Sequence, residues 1–120
     1  MQLLRVTILS LLACALSLAA DINGTWIGNV DTNDGAVRLT IDLKAEGDTL
    51  TGSVTSHVGK MTIREGKISG DELSWVTVYE RDGNSLRILN KAKVSGSEMK
   101  VVTTVEGRDD RFEYTAKKSS

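Results

Sequence analysis

One histidine and one cysteine are all this chain contains, and the two shortages exclude much of the chemistry open to a small protein. His57 alone cannot build a histidine-rich metal site. A Cys-His nucleophile pair would need Cys14, which lies inside the N-terminal apolar run. No serine sits in the glycine pattern of a nucleophile elbow, so a Ser-His-Asp arrangement has no support. Adjacent carboxylates occur as Asp71-Glu72 and Asp109-Asp110, both in turn-like stretches, whereas a glycosidase acid needs a cleft that raises its pKa. The run Asp31-Thr32-Asn33-Asp34-Gly35 has its glycine one place early for a calcium loop, and Asp42 stands where a bidentate glutamate belongs. The chain reads as non-catalytic, with no metal and no cofactor expected.

Basic runs are scarce as well. Lys117-Lys118 is a lone adjacent pair and the other cations are scattered singly, so neither a nucleic-acid partner nor a polybasic membrane patch is expected. One long apolar run exists, Val6 to Ala20, following Met1-Gln2-Leu3-Leu4-Arg5 and ending in small residues before Asp21. Residues 1–20 therefore read as a signal peptide cleaved after Ala19 or Ala20, and the expected location is secreted or periplasmic. The run falls short of the about 20 apolar residues that span a bilayer comfortably, and no second run follows, so no transmembrane segment is expected. Leu11-Leu12-Ala13-Cys14 resembles a lipoprotein processing box, which gives the alternative of a chain anchored through Cys14.

Processing at residue 19 or 20 would remove Cys14, leaving a domain that cannot use disulfides and must be held by one core. It would also remove Arg5, so that 15 basic residues become 14 against 16 acidic ones, a net charge near −2. What remains, residues 21–120, fits a single domain.

That domain alternates apolar and polar residues almost throughout, with no helical period and with Val, Ile and Thr dominating. Strands are expected over Thr25 to Val30, Ala36 to Lys44, Thr49 to Ser56, Lys60 to Ile68, Glu72 to Glu80, Ser85 to Val94, Glu98 to Glu106 and Arg111 to Lys117. Between them lie Gly/Asp/Asn/Ser turns. Three of these share a template of lysine, glycine turn and apolar strand entry, at Lys44-Ala45-Glu46-Gly47-Asp48, Lys67-Ile68-Ser69-Gly70-Asp71 and Lys93-Val94-Ser95-Gly96-Ser97. They read as one tight turn used three times at one end of a meander. Ile68 breaks the inward phase set by Met61 and Ile63, which predicts a bulge near Glu65-Gly66. The expected fold is all-β, an eight-stranded antiparallel up-and-down barrel, with a two-sheet sandwich as the alternative; closure is favoured because it removes exposed edges.

Gly24-Thr25-Trp26 on the first strand, followed by Leu50-Thr51-Gly52-Ser53-Val54-Thr55-Ser56 and Val58-Gly59, resembles the opening third of calycin-type barrels, the lipocalin and avidin group. The resemblance implies an eight-stranded meander barrel whose open end holds a small ligand. It does not carry over biotin binding: Ser56 falls where avidins have a ligand-bonding serine, but Gly28 replaces an asparagine and Val54 a tyrosine.

Within the inward register stand Ser56, Thr77, Asn90 and Thr103, polar side chains where a dry core would take leucine. One reading places them at wet barrel ends or bonded to one another in a packed structural or interaction module. The other lines a pocket with Ser56, Thr77, Tyr79, Asn90 and Thr103, walled by Trp26 and Trp75. The same alternation turns Val76, Val78, Leu89 and Val102 outward as an apolar stripe, a candidate surface for a protein partner or for homo-oligomer formation.

Overall fold

The computed structural model describes residues 22–32 and 35–119 of the 120-residue chain. The signal-peptide and Cys14 readings lie outside the described residues. Among the described residues there is no helix, and nine strands follow in order: β1 (Gly24–Thr32), β2 (Gly35–Glu46), β3 (Thr49–Ser56), β4 (Gly59–Thr62), β5 (Arg64–Ser69), β6 (Glu72–Arg81), β7 (Asn84–Ser95), β8 (Glu98–Val105) and β9 (Arg111–Lys118).

Eight of them close a ring. Each of β1 to β3 and β5 to β9 pairs antiparallel with the next around the barrel, and β9 returns to β1 through Trp26↔Lys118, Ile27↔Lys117 and Gly28↔Ala116. The fold is the closed up-and-down barrel that regular short connections imply, with β4 as an extra strand outside the ring, paired to the far end of β3.

The single fourth strand expected over residues 60–68 is two strands, and the bulge is the reason. Arg64 opposes Val76 and Lys67 opposes Ser74, so Glu65 and Gly66 of β5 together face Trp75 alone on β6. The extra residue bends the chain at Glu65, whose φ is 51°. It restores the phase of Ile68, which packs against the core. Upstream of the bend β4 stays with β3 and leaves the upper half of β6 without a partner on that side.

The three repeated turns are alike in geometry and lie at one end of the barrel. Gly47, Gly70 and Gly96 have φ of 64°, 62° and 61°, while Asp48, Asp71 and Ser97 after them are not in the left-handed region. Positive φ at the first of two loop residues is the II′ hairpin pattern, which suits the twist of the strands it joins. This lower end also holds most of the buried core. Trp26, Leu43, Leu50, Leu73, Val94, Met99, Val101 and Ala116 are buried there. Ile22 closes it from below, its carbonyl accepting a hydrogen bond from Trp26 Nε1 at 2.9 Å. Burial of this kind is worth about 25 cal/mol for each Å² of apolar surface removed from water.

Candidate functional site

Toward the upper end the same barrel stops being filled. A cup of about 300 Å³ opens there, walled by Val30, Val37 and Leu39 from β1 and β2, Val54 and Met61 from β3 and β4, and Ile88, Val105 and Phe112 from β7 to β9. Thr32 also contributes at the rim. Its polar side chains come largely from neighbouring strands: Trp75 and Thr77 on β6, Asn90 on β7, Thr103 on β8 and Tyr114 on β9.

Register explains why they meet. Trp75 opposes Asn90 and Asn90 opposes Thr103, one continuous row across three strands. Thr103 Oγ1 donates to Asn90 Oδ1 at 2.8 Å. Asn90 Nδ2 in turn points at the carbonyls of Trp75 and Ile88 over 3.5 and 3.4 Å. Tyr114 lines the cup from β9, opposite Val101 and diagonal to Thr103; burial pushes its phenol well above the ordinary value, the Thr103 side chain opposing this in part. The Tyr114 ring lies over Gly28, where a Cβ would come 2.7 Å from Cε2. The glycine that departs from the avidin pattern is therefore the site of a tyrosine reaching in from β9.

Trp75 is 2% exposed, and its indole N–H is the buried side-chain polar group without a partner among the described residues. Its counterpart Trp26 is equally buried but satisfied by Ile22. Unpaired buried donors cost about 1–3 kcal/mol, so Trp75 is the anomaly of the interior.

Four of the seven residues singled out in the sequence thus line the cup: Trp75, Thr77, Asn90 and Thr103. The other three stand elsewhere. Trp26 belongs to the packed lower half, because alternation fixes the face of a residue and not its height along the barrel. Ser56 sits past Val54, where β3 leaves the ring to pair with β4, and its Oγ accepts from the Val58 amide at 3.3 Å. Tyr79 lines a side slot between β4 and β6 with Val78, Glu80 and Lys60. Tyr114 also lines the cup; alternation along β9 turns it inward, but nothing in its spacing points to the cup.

On the outside, Val76 opposes Leu89 as its phase requires, yet Val76 is only 8% exposed, and Val78, Leu89 and Val102 are half-buried. Arg87 on β7 bonds Glu65 on β5 at 2.9 Å and Glu106 at 3.1 Å. The first of these ion pairs must cross β6, whose outer face carries Val76 and Val78, so a charged bar overlies part of the stripe. The Arg87 guanidinium holds the Glu65 carboxyl below its ordinary value.

The cations that look scattered in sequence are gathered by the fold. Lys67, Lys91, Lys93 and Lys100 surround Ser74 in a depression of about 600 Å³ on the outer face of β5 to β8, with Lys93 directly opposite Lys100. Comparison of the chain with protein-family models, with curated proteins and with solved structures returns no match.

Proposed function

We propose that this chain is an exported, non-catalytic barrel that holds a small molecule in the upper cup. What carries the reading is the division of one interior into two halves. The lower half is closed by Ile22 and Trp26, while the upper half keeps about 300 Å³ open around a row of polar side chains. That volume is at the small end of known ligand sites, which are mostly apolar with a few convergent polar groups. A module packed for structure alone would have little use for the Trp75–Asn90–Thr103 row or for an unmatched Trp75 N–H. A calycin-type relationship belongs to the same proposal, supported by the meander topology and by Trp26 on the first strand at the closed end.

Native mass spectrometry of the protein purified from its own source tests this. Wild type is expected to carry a bound small mass that a cup-filling Val105→Trp variant of equal fold loses. Ligand-free wild type that also takes up no apolar compound in solution overturns the reading.

A further inference from the structure

We infer that the lysine face of β5 to β8 binds an acidic polysaccharide, a chain bearing carboxylate or sulfate groups on successive sugars; this does not depend on the reading of the cup. The first observation is charge left uncompensated. Lys67, Lys91, Lys93 and Lys100 line the depression with Glu72 as the one carboxylate among them. None of the four makes an ion pair among the described residues, whereas Lys44, Arg87, Arg108, Arg111 and Lys117 each stand within 3.9 Å of a carboxylate. Glu72 opposes Lys93 on the neighbouring strand without closing an ion pair with it. Like charges held side by side cost stability in the free barrel, and an anion laid over them removes that cost.

The second observation is how the cations are spread. Lys67 and Lys91 flank Ser74 in one row across the sheet, and Lys93 and Lys100 face each other in the row below. From β5 to β8 this covers three strand spacings of about 4.8 Å, roughly 14 Å, more than a single small oxyanion can bridge. A chain with an anion on each successive unit reaches all four.

The lining decides which chain. No aromatic side chain borders the depression, so a single-stranded nucleic acid would find no ring on which to stack its bases. The main chains of β6 and β7 are spent on their neighbours, so an acidic peptide laid on this face gains no backbone ladder. A flat anionic membrane would rest on the lysine tips and leave a recess of about 600 Å³ unfilled. Ser69 and Ser74 supply hydroxyls inside that recess, each able to donate to and accept from a sugar hydroxyl.

The test is calorimetric titration of the protein at low ionic strength with an oligogalacturonate and a sulfated dextran fragment, set against neutral dextran, oligothymidylate and polyglutamate of similar length. At least one of the acidic glycans is expected to bind, with neutral dextran silent and binding largely lost in about 1 M salt, where the screening length is near 3 Å. Lys91→Gln combined with Lys100→Gln should weaken that binding by about tenfold or more. Lys60→Gln, on β4 and away from the depression, should leave it unchanged. Absence of binding by both acidic glycans overturns the inference, as does binding that the Lys91/Lys100 pair of substitutions leaves intact. Oligothymidylate or polyglutamate binding as tightly as the better acidic glycan also overturns it, because the face would then select charge alone.

Discussion

The ring of Tyr114 occupies the space that any side chain on Gly28 would need: a Cβ there would stand 2.7 and 2.8 Å from two ring carbons. A Gly28→Ala protein must therefore push Tyr114 aside. The expected cost is about 1–3 kcal/mol, as for overpacking generally. Tyr114→Leu in the same chain should recover most of it. Denaturant unfolding of the two single variants and the double variant checks this; additive losses would mean that residue 28 and the ring do not compete.

Asn90 and Thr103 form the next testable pair. Asn90→Leu deletes the acceptor of the Thr103 hydroxyl hydrogen and strands it in a part-buried site, an expected loss of about 1–2 kcal/mol. Thr103→Val alone should cost less, because Asn90 keeps its longer contacts to the Trp75 and Ile88 carbonyls. The double variant should be more stable than the sum of the single losses predicts. A coupling energy of at least about 0.5 kcal/mol in that cycle is the expected result.

Stability should fall at alkaline pH, and Tyr114 sets the sense of the change. Burial raises its folded pKa above the ordinary 10.0, so above about pH 10 the unfolded chain releases a proton that the folded protein retains. Proton release then favours unfolding, and stability is full below pH 10 and lost as pH rises beyond it. Phenolate absorbance from Tyr114 is expected only as the barrel unfolds. Tyr114→Phe should flatten the decline between pH 10 and 12; an unchanged slope would assign it to other groups.

The lysine face is expected to work against the fold. Lys93 and Lys100 are directly opposed on β7 and β8, and Lys91 lies two residues along the same face, with Glu72 opposite Lys93 on β6 as the one counter-charge lining the depression. Like charges so placed are destabilising by up to about 1 kcal/mol. Lys100→Glu should raise the thermal midpoint at low ionic strength, and the gain should shrink in about 1 M salt, where the screening length is near 3 Å. Equal gains at both salt levels would show that charge is not the cause.

Much of the architecture was readable from local chemistry. Alternation gave the inward face, and glycines in the repeated turns gave hairpins of one type at one end. The displaced phase of Ile68 gave a bulge that the fold places at Glu65. These follow from the sequence because side-chain direction in a strand has period two, and turn conformation depends on the residues of the turn itself. Position along the barrel axis depends on register between distant strands, and no local pattern encodes it. That is why Trp26 and Trp75, alike in phase, separate into packed floor and cup wall. Ser56 and Tyr79 fall away from the cup because a single extra residue at Glu65 sends β4 out of the ring. The closure of β9 onto β1 brought the Tyr114 ring over Gly28, and strand pairing gathered four solitary lysines onto one face. The sequence determined which residues face inward and how the chain turns; closure of the ring decided which of them meet, because only it sets the register of strands far apart in the chain.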